Sequence, residues 1–194
     1  MLKKILIIQG NPDPEEKHFG HALAIAYAKG AESAGFKVNV INVASLDFPL
    51  LKTKDDFENS SAPLIIQKAQ DEIREADHLV IFYPLWLGDM PAILKAFFEQ
   101  VFRPGFGFAS QQGKMPVKLL KGKSARIIVT MGMPAFLYKW FFFAHSLRSL
   151  KRNILRFCGV APIKDNVIGM IETPDSKQRA RWLHRMTYLG SNGI

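Results

Sequence analysis

The stretch His78–Tyr83, HLVIFY, runs directly into Pro84–Pro91, PLWLGDMP, and the junction between them decides the fold. HLVIFY lacks the polar and apolar alternation of a half-wet strand, so it predicts a strand buried on both faces, as in a parallel sheet. Pro91 stands at the favoured first position of a helix that Ala92 to Phe102 continues. The same alternation recurs outward from this junction. Leu2 to Ile8 predicts a first strand, closed by the turn residues Gln9 to Pro12. A helix follows from about His18 to Ala34, with Phe19, Leu23, Ala26, Tyr27 and Gly30 at helical spacing and Gly35 as its stop. Phe36 to Val43 reads as a second strand and Leu64 to Ala76 as the helix that leads to His78. Arg126 to Met131, RIIVTM, predicts a fourth strand. One long helix is expected over about Leu137 to Phe157, stopped by Gly159, then a fifth strand within Ala161 to Met170. Thr173 and Pro174 are read as the cap of a last helix reaching about Leu189. Five repeats of strand and helix predict an α/β fold, a doubly wound parallel sheet with helices on both faces. A ligand of such a sheet sits beyond the carboxyl ends of the strands.

Composition sets the limits around this pattern. With 194 residues and 48% apolar content, the chain can bury one full core, and a single domain over 1–194 is expected. Cys158, the one cysteine, stands among Leu155, Phe157 and Val160 and reads as a packed thiol; with no internal disulfide possible, a cytoplasmic location is expected. The apolar run at the start ends after four residues, too short for an export signal, and Trp140 to Ala144 is far too short to span a bilayer. A net charge of +9 and a pI near 9.7 favour anionic partners without choosing among them. The basic residues read as dispersed, and with no recognised module nucleic acid is not expected as a partner. No group of His, Cys and carboxylates has metal-ligand spacing.

Two loops carry candidate chemistry. The first, Gly10 to Gly20, joins the first strand to the first helix. Its helix N-terminus, with Lys17 and His18, reads either as an anion site or as a solvated turn with basic neighbours. It matches neither a Walker loop nor a GxGxxG fingerprint. The third loop, Tyr83 to Pro91, is apolar, aromatic and stiffened by proline where a solvated loop is usually polar. Trp86 and Leu87 either pack into the core or wall a planar heterocycle, and their position after a central strand favours the wall.

The block Pro84 to Phe102, PLWLGDMPAILKAFFEQVF, with Arg103 to Phe108, RPGFGF, resembles the signature of the flavodoxin-like NAD(P)H:quinone oxidoreductases. That group includes the ancillary subunits of glutathione-gated potassium efflux systems. The resemblance extends from the first strand to Phe157-Cys158-Gly159. It implies a flavodoxin-like five-stranded sheet, a bound flavin (FMN or FAD), NAD(P)H as electron donor and a quinone-like acceptor. It places the flavin ring against Pro84, Leu85, Trp86, Leu87, Thr130, Met131 and Gly132, with stabilising amides expected from Leu85 to Leu87. The flavin phosphates fall at His18, Phe19 and Gly20. Asn11 stands where the family usually has His, in a loop about two residues longer. The candidates for a Tyr and a His that assist charge shifts in relatives are Tyr138 and His145, at a spacing that departs from the family's, and His145 reads alternatively as a surface histidine on a basic helix face.

The resemblance also implies a homodimer, for which Phe106 and Phe108 are expected to offer apolar surface. The alternative is a regulatory ancillary subunit docked on a membrane transporter, and a one-electron carrier is disfavoured by the basic pI. On the long helix, Trp140, Phe143, Leu147, Leu150, Ile154 and Phe157 are expected on one stripe that faces the core or a partner subunit. Arg148, Arg152 and Arg156 fall opposite it, as a solvated face or as a peripheral contact with an acidic membrane surface or transporter.

Overall fold

A computed structural model describes residues 2–15, 17–172 and 176–194. Five parallel strands form one sheet: β1 (Lys4–Gln9), β2 (Lys37–Asn42), β3 (His78–Pro84), β6 (Ser124–Thr130) and β7 (Ile163–Ile168), in the order β2-β1-β3-β6-β7. The chain builds outward from β1 to β2, then reverses and adds β3, β6 and β7 on the other side. The reversal falls between β1 and β3, so the loops that follow these two strands flank the crevice where such sheets bind ligands.

Alternate residues of the central strands feed two cores. Ile5, Ile7, Val80, Phe82 and Ile128 face α1 (Phe19–Ser33) and α8 (Ser176–Ser191). Leu6, Ile8, Leu79, Ile81, Ile127 and Val129 face α3 (Leu64–Glu75), α4 (Ala92–Val101) and the segment after β6. Helices α1 and α8 touch backbone to backbone. A Cβ on Gly30 would lie 2.1 Å from the Thr187 carbonyl oxygen, and one on Gly190 would lie 2.1 Å from that of Tyr27. Only hydrogen fits at either crossing.

Several expectations are corrected. Pro91 is the cap before α4 rather than its first residue, with ψ of 143°. A short helix, α2 (Lys54–Glu58), is closed by reciprocal bonds between Thr53 and Asp56. An antiparallel hairpin, β4 (Phe108–Gln111) with β5 (Lys114–Lys118), precedes β6, and its polar four-residue first strand gave no apolar signal. Phe106 is buried, with the Arg74 guanidinium 5.2 Å from its ring centre, and Phe108 packs edge-on against Phe157. Phe106 therefore does not supply the wet apolar surface expected of it, whereas Phe108 stays half-buried and lines an open apolar hollow with Phe102 and Phe157. The cap assigned to Thr173 and Pro174 lies outside the described residues.

The expected long helix is instead broken once: α5 (Ala135–Trp140) is followed, after a turn, by a continuous helical run made of α6 (His145–Ser149), a π-helical turn (Leu150–Leu155) and α7 (Arg156–Cys158). Between α5 and α6 the chain turns through Phe143 (φ 51°) and Ala144 (φ 47°), left-handed conformations that cost an L-residue about 1–2 kcal/mol each. The proposed stripe breaks with the helix. Leu147 and Leu150 are buried, Ile154 and Phe157 are half-buried, and Trp140 and Phe143 are exposed. The span FLYKWFFF (136–143) is apolar on nearly every side, so periodicity could not reveal which residues turn inward.

Candidate functional site

The first loop is knitted by its own side chains. Asn11 N–H donates to Gln9 Oε1 (3.2 Å), Asp13 N–H to Asn11 Oδ1 (3.1 Å), and Glu15 N–H to Asp13 Oδ1 (2.8 Å). Buried Asn11 thus braces the loop. His18 caps α1 in extended conformation, and its Nε2 lies 2.6 Å from Asp13 Oδ2. That bond, followed by the Glu15 amide, holds the Asp13 carboxyl below its usual range. Phe19 and Gly20 open α1, where first-turn amides have no partner within the helix. Gly20 comes close to the end of β6: a Cβ there would stand 4.0 Å from Thr130 Oγ1. Gln9 Nε2 reaches the Gly20 carbonyl at 3.4 Å.

The third loop is a tight reversal with its apolar side chains outward. Trp86 N–H donates to the Asp89 carbonyl (2.8 Å) and Asp89 N–H returns to that of Trp86 (2.9 Å). Leu87 (φ 47°) and Gly88 (φ 81°) both lie in left-handed space, which defines a type I′ turn. Leu85 N–H is fixed to the Thr130 carbonyl at 2.8 Å, binding this loop to the end of β6. The expected amide donors are corrected here: those of Leu85 and Trp86 are consumed within the protein. Leu87 and Gly88 carry the turn's amides without a backbone partner among the described residues. Trp86 is 55% exposed and Leu87 fully so, which excludes core packing for both. Pro84 and Leu85 are half-buried beneath them.

Thr130 and Met131 are buried, and Gly132 surfaces beside them. Met131 N–H donates to Ile168 O (2.9 Å), and a Cβ on Gly132 would lie 2.9 Å from Glu172 Oε1. The first-, third- and fourth-strand residues thus meet at one crevice, joined through Thr130.

The remaining two candidates lie on the segment that follows β6, Tyr138 in α5 and His145 at the start of α6. Tyr138 is buried, with its hydroxyl 2.7 Å from Ser146 Oγ and accepting Leu147 N–H at 3.1 Å. Burial pushes Tyr138 above its usual range, and the Ser146 and Leu147 bonds pull against that. Tyr83 is pushed well up by burial and by Tyr138 and Asp89, so this cluster stays protonated. His145 is exposed on α6, edge-on to Phe143 at 5.9 Å.

Sequence reading missed Arg179. From the first turn of α8 its guanidinium sits 5.0 Å over the Phe19 ring and donates to Ile171 O at 3.3 Å, placing a cation beside the N-terminus of α1. Arg179 lies 160 positions from Phe19, and no local pattern links them.

A doubly wound sheet with an aromatic loop and a helix N-terminus at its switch point defines a class of ligand-binding α/β protein. The chain belongs to the flavodoxin-like fold family, whose model matches residues 3–188. It is 29% identical over 178 residues to an uncharacterized NAD(P)H oxidoreductase of Haemophilus influenzae, covering 90% of this chain and 87% of that protein. An FMN-dependent NADH:quinone oxidoreductase of Coprothermobacter proteolyticus is 28% identical, over 68% of this chain and 69% of that one. Among solved structures, Smu.1420 from Streptococcus mutans UA159 superposes with a TM-score of 0.80 and 27% identity, covering 97% of this chain and 99% of that one.

Proposed function

We propose that this chain is a flavin-dependent NAD(P)H oxidoreductase that reduces quinones or similar acceptors. The observation that carries the proposal is the meeting of an exposed apolar turn and a helix N-terminus at the β1/β3 switch point, the turn bonded to Thr130 and the helix start passing close to it. The residues fit a flavin. Trp86 and Leu87 present apolar surface on a turn that needs no ligand to hold its shape, and the Leu87 and Gly88 amides are left to meet polar ring edges. In this reading Pro84, Leu85, Trp86, Leu87, Thr130, Met131 and Gly132 surround the ring. Phe19 and Gly20 offer first-turn amides to a phosphate, Arg179 adds a fixed cation, and His18 joins them when it leaves Asp13. Asn11 shapes the loop from beneath. Tyr138 acts as a positioning residue that ties α5 to α6, and exposed His145 is the remaining candidate to hold or deliver a proton.

When bound, a flavin would supply hydride-transfer chemistry between NAD(P)H and the acceptor, with a proton taken up alongside. The protein's part is to orient the ring, exclude water from the Trp86 side and direct amide dipoles at it. Names of the relatives support an oxidoreductase and offer nothing for an ancillary transporter subunit. The unit comprises residues 1–194, in the cytoplasm, where a buried free Cys158 stays reduced. With Phe106 buried, a homodimer rests mainly on the family resemblance, and light scattering decides it. The test of the function is direct: extract the cofactor from purified protein, identify it by mass, and follow NAD(P)H oxidation with and without a soluble quinone. Purified protein that neither holds nor takes up flavin overturns the proposal.

A further inference from the structure

The large apolar side chains that the fold leaves wet are concentrated after β6. Phe136, Trp140, Phe141 and Phe143 are 61%, 78%, 72% and 55% exposed. Lys139, Arg148 and Lys151 line an open hollow of about 540 Å³ together with Trp140, Phe143 and Leu147. The carboxylate of that hollow, Asp165, is held by Lys151. The basic residues, read as dispersed, are in fact segregated. Between Glu99 and Asp165 the chain contains twelve lysines and arginines and no acidic residue.

Exposed Trp and Phe beside Lys and Arg match the interfacial region of a bilayer, where rings enter the headgroup boundary and cations meet anionic lipids. We propose that the 136–148 face docks this protein on a membrane surface that carries anionic lipid. A second copy of the chain fits this face poorly. A two-fold pairing through this face would bring Lys139, Arg148 and Lys151 near a second basic patch, with the carboxylate of the hollow, Asp165, already held by Lys151. The broken helix serves the docking: Tyr138 and Ser146 anchor the segment inward while left-handed Phe143 and Ala144 turn the aromatics out. α5 begins five residues beyond Thr130, so the docked crevice lies near the lipid. There, and this consequence rests on the quinone-reductase reading above, an acceptor with a long apolar tail is within reach.

The experiment is co-sedimentation of the flavin-loaded protein with vesicles of phosphatidylcholine, with or without phosphatidylglycerol, at low and raised salt. The unaltered protein is expected on anionic vesicles only, less so as salt rises. The double variant Lys139→Gln/Arg148→Gln should lower partitioning about thirtyfold. Trp140→Ser/Phe141→Ser should remove the binding that survives raised salt. Both variants should keep their flavin content, melting temperature and rate with a soluble quinone. Absent binding, equal binding to neutral vesicles, or binding unmoved by either variant overturns the proposal. So does a lipid-free dimer that the aromatic variant splits, since a second copy then covers the face, or equally tight binding of a single-stranded oligonucleotide. Turnover of soluble quinone without vesicle binding refutes docking alone, whereas vesicle binding without turnover refutes the enzymatic reading alone.

Discussion

Replacing Trp86 with alanine separates a ligand wall from a packing residue. A tryptophan carries roughly 250 Å² of side-chain surface. At 55% exposure, about 140 Å² of it is wet in the free protein. If a flavin ring covers half of that area, about 70 Å² leaves water, worth about 1.7 kcal/mol at 25 cal/mol per Å². Trp86→Ala should therefore raise the Kd for flavin about twentyfold. The fold should barely respond, because the type I′ turn is closed by backbone bonds between Trp86 and Asp89 and an exposed substitution usually shifts stability by no more than about 0.5 kcal/mol. Trp86→Asp should weaken binding further, since a carboxylate would be desolvated against the ring. Fluorescence titration of flavin into apoprotein, paired with thermal melts, reads both quantities. An unchanged Kd in a folded Trp86→Ala variant, or a fall in melting temperature with no change in Kd, refutes the wall.

Arg179→Ala should weaken FMN about tenfold through loss of a charge-assisted contact while leaving riboflavin, which has no phosphate, unaffected; parallel titrations check this. Gly30→Ala forces a Cβ toward the Thr187 carbonyl and should cost about 1–3 kcal/mol, read as a melting temperature lower by several degrees; an unaltered melt would refute the close crossing. Tyr138→Phe should lower stability by about 1–2 kcal/mol by stranding Ser146 Oγ and Leu147 N–H, with turnover of the flavin-loaded variant within twofold of the parent. Buried His78, its Nδ1 2.7 Å from Ser124 Oγ, is lowered to about 3 by burial and by the charges of Lys3, Arg126 and Lys164. The unfolded chain binds more protons than the folded one between the usual histidine value near 6.5 and that lowered value. Stability should therefore fall by about 2 kcal/mol as pH drops from 7 to 5, and His78→Gln should flatten the slope in urea titrations.

The middle of the sheet was legible because β1, β3 and β6 are buried on both faces and read as unbroken apolar runs, HLVIFY and RIIVTM above all. The crevice followed from topology and from one loop, PLWLGDMP, too apolar for its place. Amide commitment was not legible. Whether Leu85 N–H faces a ligand or Thr130 O depends on a neighbouring strand 45 positions away. The α5 to α7 segment misled for a different reason: an almost wholly apolar run has no preferred face, and the left-handed Phe143 and Ala144 occupy a conformation their residue types do not announce. Arg179 reached the site through the packing of α8 on α1, whose sequence trace, Gly30 and Gly190, gains meaning only when both helices are placed.

The measurement closest to the central claim is the visible spectrum of the purified, flavin-loaded protein under anaerobic NAD(P)H, followed by one equivalent of a soluble quinone. The account predicts a flavin absorbance that bleaches with NAD(P)H and returns when the quinone is added. A protein that binds no flavin, or one whose bound flavin NAD(P)H leaves unbleached, contradicts it.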